Sequence, residues 1–423
     1  MLSLGESTKS MLGILCVLVA TALTTAEPAP PETVLVISHI SVVDVVAGVS
    51  RPDQDVIIRG TKIELVAPAR EARAPRGARI VNGNGKYLIP GLWDMHLHTG
   101  GDERTLQSLL ASGITGVRDM GGDLRKLSEA RRRIDSRQLK GPHLVFAGPT
   151  LRGPRSSSDS SDAESLVIRT AREGSLAVDS LLAQGADFVK VHEELSREAF
   201  SAIVAAAHAK QRQCVGHVPA SLTPLEVSDL GVRSIEHLEF VPDACLLLFN
   251  DQAGGAGAPP EVCGVPALAT LLQRLAKNDT WLDPTIGSFR YWAPTQWDSI
   301  FAGFRNIAGA IRRSGVRVLA GTDWSSSLQS RGAPVGGSLH DELALLVQAG
   351  FSPAEALRAA TSNPASFLGY SKTLGTVEAG KIGDLVLLDG DPLSDIRNTR
   401  RVAGVLREGQ FFRVREGSLV AGE

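Results

Sequence analysis

An excess of charge of one sign is missing from this chain: 44 Lys+Arg stand against 46 Asp+Glu, a formal net charge of -2, spread along 423 residues apart from the short run Arg131 to Arg133. That balance excludes an extended basic surface for nucleic acid or an anionic membrane, and points to a small-molecule partner. A long hydrophobic run is also missing. The apolar stretch MLGILCVLVATAL covers 11–23 only, short of the about 20 residues a membrane-spanning helix needs. There is no short-period repeat or long low-complexity tract, and Ser156 to Ser161 is only a polar loop. Cysteine is scarce, four in all, and no C-x-x-C pair exists to build a structural zinc site.

The first thirty residues differ from the rest. Lys9 and the amino terminus precede the apolar run, and small residues follow it, the pattern of a secretory signal peptide over 1–26 with cleavage after Ala22 or Ala26. The expected location is periplasmic or secreted, with no stable membrane association after cleavage; an uncleaved anchor is the alternative. Cys16 lies inside the apolar run behind bulky Leu15, a poor lipoprotein context. Glu27 to Glu32, with three prolines, reads as an exposed linker. Cys245 and Cys263 flank a glycine- and proline-rich stretch, and an exported protein can keep a disulfide across such a loop. Cys214 sits in an apolar lead-in and reads as a small core residue.

With 43% hydrophobic residues, the remainder can bury a sizeable core. Both ends are β-like: TVLVISHISVVD and DVIIRGTKIELVA near the start, GDLVLLDG and VAGVLREGQFFRV near the end. Residues 33–91 with 372–423 are therefore expected to form one small β-sandwich. Between them, over 92–371, strand-like stretches at 92–98, 114–119, 143–148, 187–192, 213–217, 233–237, 280–285 and 316–322 alternate with helical patterns such as 197–211 and 352–361. Eight such units suit an α/β fold of the (β/α)8 TIM-barrel type.

The chemistry-bearing residues fall at the ends of those strands, where a barrel keeps its active site. His96 and His98 in LWDMHLH are two apart, so both can face the barrel axis and bind one ion; Asp94 shares their side and can orient a histidine. Lys190 lies within apolar FVKV, where it must pair, with Glu193 or Glu194 for instance, or lose its proton. A deprotonated amine can take up CO2 as an anionic carbamate that bridges two cations. His217 in CVGHVP and His237 in SIEHLEF end the next two strands. Asp323 in LAGTDWS ends the last, as a metal ligand and proton acceptor or as a helix N-cap.

Taken together, GLWDMHLH, FVKVHE, GHVP, IEHLEF, AGTDW, GSLHDELALLVQAGFSPAEALRAATSNPA and GTVEAGKIGDLVLLDGDP resemble the metal-dependent amidohydrolase superfamily over essentially the whole chain after its leader. The likeness is to the imidazolonepropionase-related branch containing Xaa-Pro dipeptidases (prolidase-like) and ochratoxinase-type amidases. The resemblance implies two divalent metal ions, zinc by preference. His96, His98 and Asp323 would hold the more buried ion, His217 and His237 the more exposed one, with Lys190 bridging as N6-carboxylysine. It further implies hydrolysis of a carbon–nitrogen bond, in a dipeptide of Xaa-Pro type or an N-acyl amino acid, by a hydroxide shared between the ions with Asp323 as general base and acid. A cyclic amide such as an imidazolone or hydantoin, or a lactone, is the alternative substrate; a non-catalytic binding protein on the same scaffold, or a homo-oligomer of the enzyme, is compatible with the same sequence. His340 with Glu342 matches a supporting histidine–glutamate cluster in the family. Arg152 and Arg155, then Arg290, Tyr291 and Trp292, and Trp324 beside Asp323, are the loop groups available to a substrate carboxylate or ring. GPTLRGPRSSSD departs from relatives in lacking a glycine–histidine pair after the third strand.

Overall fold

The computed structural model describes residues 33–156, 158–241 and 265–421. The expected leader at 1–26 and the expected Cys245–Cys263 pair lie outside those residues.

The chain starts with five strands: β1 (Val34–Asp44), β2 (Val49–Arg59), β3 (Lys62–Pro68), β4 (Arg79–Asn82) and β5 (Tyr87–Pro90). Their β-branched residues suit a pleated, half-buried surface, and Leu35, Ile37, Ile40, Val42, Val56 and Ile58 turn inward to one core. The register of β1 on β2 shifts on both sides of Ile40, next to His39, which has φ +55°. A bulge bends a strand and increases its twist. The first half of β1 accordingly pairs with β4 (Leu35 beside Arg79) and its second half with β5 (Ser41 beside Tyr87), both parallel.

The carboxyl end supplies β15 (Leu385–Leu388), β16 (Val402–Arg407), β17 (Gln410–Arg415) and β18 (Ser418–Ala421). β15 runs antiparallel to β5, placing Leu387 opposite Leu88. The sequence led to an expectation of a small sandwich from both chain ends; in the structure strands from both ends join one continuous mixed sheet of nine strands.

Parallel strands fill the middle. β6 (Leu92–Leu97), β7 (Ile114–Asp119) and β8 (His143–Phe146) form one sheet. The second contains β9 (Thr150–Arg152), β10 (Ser165–Val167), β11 (Val189–Val191), β12 (Cys214–Gly216), β13 (Ser234–Glu236) and β14 (Trp281–Asp283), ordered β10-β9-β11-β12-β13-β14. Backbone bonds cross the seams between them. Asp187 N donates to Phe146 O. At the other seam Leu282 N donates to Arg317 O and Leu319 N to Leu282 O, while Met95 N donates to Ala320 O and Asp323 N to His96 O. The expected strand at 316–322 therefore links β14 to β6 by isolated bridges at Val318 and Trp324 rather than by a regular ladder.

Helices cover these strands. Arg197–Ala209 buries Ala199, Phe200, Ile203, Val204 and Ala207 at helical spacing, and Ser196 caps it by accepting from Ala199 N. Pro353–Ala359 starts with a capping box between Ser352 and Glu355 and a proline in the first turn. Val43, Val45 and Ile89 of the mixed sheet share a core with Leu92, Val117 and Val189 of the parallel strands, so the two layers pack directly. Among the described residues no helix is long and apolar enough to cross a membrane.

Leu88 is 0% exposed at the junction of β1, β5 and β15. Leu88→Ala should lower unfolding free energy by about 2–5 kcal/mol, read as a fall in denaturation midpoint with an unchanged slope; an unchanged midpoint would show that the chain ends contribute little to the fold.

Candidate metal centre

The six residues singled out from the sequence line one open cavity of about 390 Å³. His96 and His98 come from the end of β6, Lys190 from β11, and His217 and His237 directly follow β12 and β13. Asp323 ends the segment bridging to β6. His237 and Asp323 have φ of +57° and +52°, left-handed conformations that leave the strand direction and are costly unless the surroundings hold them. Ring centroids of His96 and His237 are 4.7 Å apart, and those of His217 and His237 4.8 Å. Asp323 Oδ1 lies 3.5 Å from Nε2 of both His96 and His98.

All four imidazoles are tethered through Nδ1. His96 bonds Glu236 Oε2 at 2.8 Å, His98 bonds Gly121 O at 3.2 Å, His217 bonds Glu239 Oε1 at 2.5 Å and His237 bonds Thr285 Oγ1 at 2.8 Å. Such bonds fix ring orientation and leave Nε2 for a ligand. His96 Nε2 is buried without any hydrogen-bond partner. One ligand atom each from His96, His98 and Asp323 falls within a 4.8 Å cluster. An orphaned buried nitrogen beside a second imidazole and a carboxylate is a donor set that fits a divalent cation.

Electrostatics agree with that fit. Burial, reinforced by Lys190, holds His96 and His217 well below the usual imidazole range, and burial lowers His237 to about 4; all three are neutral, as ligands must be. Burial opposes the charged form of His98, but its bond to Asp323 overrides this and raises it. Burial likewise opposes ionisation of Asp323, yet His98 and His237 bring it down to about 2.

Lys190 is 2% exposed, and burial lowers its pKa. Among the described residues its amine makes no hydrogen bond or ion pair. The sequence alternative, pairing with Glu193 or Glu194, is not what the structure adopts: Glu194 is held by Arg155 at 2.6 Å and by His192 at 2.5 Å. Asp94 orients backbone rather than an imidazole, accepting from Thr322 Oγ1 at 2.8 Å, Thr322 N at 3.1 Å and His96 N at 3.3 Å.

The remaining sequence candidates are placed differently. Arg152 lines the cavity, but both its terminal nitrogens are engaged by Asp159, at 2.5 and 3.0 Å. Arg290, Tyr291 and Trp324 line a second cavity of only about 10 Å³. Arg290 lies over the Trp297 ring, and Trp324 is buried with Nε1 donating to Ala333 O. His340 uses both ring nitrogens, on Thr399 Oγ1 and Ser112 O, and does not line the metal cavity. Glu342 accepts from Ile286 N and Gly287 N and so secures the turn that carries Thr285.

Other residues were not marked beforehand. Arg118, fully buried, bonds Glu236 at 2.9 and 3.1 Å and Asp283 at 3.2 Å beneath the histidines. His192 lines the cavity with its ring 4.1 Å from that of His217. Trp292, named only as a loop group, donates Nε1 to Asp323 Oδ2 at 3.0 Å. Charged residues inside apolar strands, VRD at 117–119 and SIEH at 234–237, were the available signal for the first of these.

The model of the amidohydrolase family matches residues 87–411. Ochratoxinase of Aspergillus niger is 24% identical over 391 residues, covering 77% of this chain and 75% of the relative. A crystal structure of a presumed prolidase from Bifidobacterium longum superposes with a TM-score of 0.71 at 25% identity, covering 92% of this chain and 95% of that one. A Xaa-Pro dipeptidase solved with methionine in its active site gives a TM-score of 0.72 at 20% identity over 92% of this chain and 100% of the other. These neighbours imply a TIM barrel with a β-sandwich. With a family match across most of its length and hydrolases for neighbours, the chain belongs to the amidohydrolase family and is a hydrolase.

Proposed function

We propose that the protein is an exported binuclear metal-dependent amidohydrolase that cleaves a carbon–nitrogen bond in a small peptide-like molecule, a dipeptide of Xaa-Pro type or an N-acyl amino acid. The observation carrying this reading is Lys190, 2% exposed and lining the cavity beside four imidazoles tethered through Nδ1, with no hydrogen bond or ion pair among the described residues. His96, His98 and Asp323 would hold one ion and His217 and His237 the other, zinc in each case. Lys190 would help to hold both as a carbamate, formed when its uncharged amine adds CO2 and gives up a proton. Divalent cations held there supply Lewis acidity toward a carbonyl and toward water.

The chain's own groups then divide the work. Asp323 takes a proton from the attacking water and delivers it to the leaving nitrogen, so the amine departs neutral. Trp292 Nε1, bonded to Oδ2, holds that carboxylate in place. The cavity of about 390 Å³ admits a dipeptide-sized molecule. Selection of a substrate carboxylate by Arg152 requires its guanidinium to leave Asp159 or share it. The apolar run and small residues over 1–26 support export to the periplasm or medium.

Metal analysis of the purified chain followed by a panel of dipeptides and N-acyl amino acids tests the proposal. Two metal ions per chain and turnover of at least one linear amide are expected. Cleavage of hydantoins or lactones alone would replace the substrate assignment. Asp323→Asn should lower kcat by about 10²- to 10⁴-fold while keeping much of the metal, measured by elemental analysis alongside kinetics. Lys190→Ala should lose metal mainly from the exposed position and lose activity with it, and should recover part of both when a short-chain carboxylic acid is added. Full activity of Lys190→Ala without such an acid would eliminate the bridging role.

A further inference from the structure

A cavity of about 520 Å³ lies at the seam between the mixed sheet and the segment leading into β8, lined by Arg79, Arg137, Lys140, Glu408, Phe411 and Phe412 among others. Lys140 stands three residues before the first residue of β8, at the amino-terminal end of a parallel strand, whereas the metal ligands follow the carboxyl-terminal ends. A smaller cavity shares Arg137, Lys140 and Glu408 and adds Arg407. We propose that this seam is a second binding site, for a small organic anion whose carboxylate or phosphate meets the guanidinium groups while its apolar part rests on Phe411 and Phe412.

Three observations carry the assignment. The Nε and Nη2 atoms of Arg79 are buried and have no hydrogen-bond partner, an arrangement costly for a charged donor unless an acceptor arrives. Lys140 makes no ion pair among the described residues. Arg407 is 9% exposed, and its Nε is likewise buried without a partner, although Nη1 lies 2.8 Å from Glu408 Oε1 and Nη2 donates to His143 Nδ1 at 2.9 Å.

Charge is unbalanced in the same direction. Arg79, Arg137, Lys140 and Arg407 face Glu408, with Asp384 behind Arg407 at 3.9 Å, four cations against two carboxylates. Arg137 approaches Glu408 only at 4.0 Å, so its fork is largely free. The aromatic floor is already used by cations: the Arg79 guanidinium sits 5.3 Å from the Phe411 centroid and Lys140 Nζ 5.3 Å from that of Phe412. A planar guanidinium beside an aromatic ring matches a bidentate oxyanion carried on an apolar body. Such a site is independent of which bond the metal centre cleaves.

The test uses the full chain, metal-loaded, at constant ionic strength. Inorganic phosphate and, separately, benzoate are titrated while the thermal midpoint is followed, for wild type, Arg79→Gln, Lys140→Gln and Asp323→Asn. A saturable rise with at least one anion is expected in wild type and in Asp323→Asn, with half-saturation at least tenfold weaker in Arg79→Gln or Lys140→Gln. Response to phosphate alone assigns a phosphate ligand, and response to benzoate alone a carboxylate on an apolar ring. No saturable response, a response in both seam variants as tight as in wild type, or its loss in Asp323→Asn would overturn the proposal. Lys140 is exposed, so its variant keeps the test valid even where Arg79→Gln fails to fold.

Discussion

Glu236 is a fully buried carboxylate shared between the Arg118 guanidinium and the His96 imidazole. A buried charge persists only when it is paired and its remaining lone pairs are used. Arg118 meets that condition for Glu236 and Asp283 together and donates to the Met95 carbonyl as well. The network ties β6, β7, β13 and β14 at the level just below the cavity. It also holds His96, which lines the cavity together with the other candidate ligands.

The same accounting of charges explains why Lys190 stands alone. Glu236 and Asp283 are taken up by Arg118, Glu239 by His217 and by Val218 N, and Glu194 by Arg155 and His192. Asp323 is held by His98 and Trp292. Among the described residues none of these acids pairs directly with the amine, and burial outweighs the pull of Glu236, Asp323 and Glu239 in disfavouring its charge. The proposed carbamate would turn this uncharged amine into an anion that two metal ions could share. Backbone geometry contributes too: the left-handed turns at His237 and Asp323 are held through Thr285 and through Asp94 acting on Thr322, respectively.

Much of this was readable from residue order. An H-x-H pair at a strand end, a lysine inside FVKV, and single histidines ending the next strands mark a candidate metal site because strand periodicity sends alternate side chains to one side. The helices at 197–211 and 352–361 were equally legible, since apolar spacing and a serine–proline start at 352 are local chemistry. Arg118 with Glu236 was not, because the partners are 118 residues apart and a charged residue inside an apolar stretch does not say which partner neutralises it. The loop candidates misled for a related reason. Arg152 has the right chemistry for a substrate carboxylate, but the chain supplies its own carboxylate at Asp159. His340 matches a family cluster, and yet Thr399 and Ser112, distant in sequence, occupy both its nitrogens.

Sequence alone determined the alternation of strands and helices, the β-rich character of both ends and the six residues that meet in the cavity, all of which follow from short-range periodicity and from the kinds of atoms present. Tertiary structure decided the rest: that both ends join one nine-stranded sheet, that the stretch at 316–322 bridges two sheets as separate hydrogen bonds, and that among the described residues some arginine nitrogens stay unbonded and Lys190 makes no hydrogen bond or ion pair. Those outcomes depend on long-range neighbours competing for the same buried charge, and no local pattern records who wins.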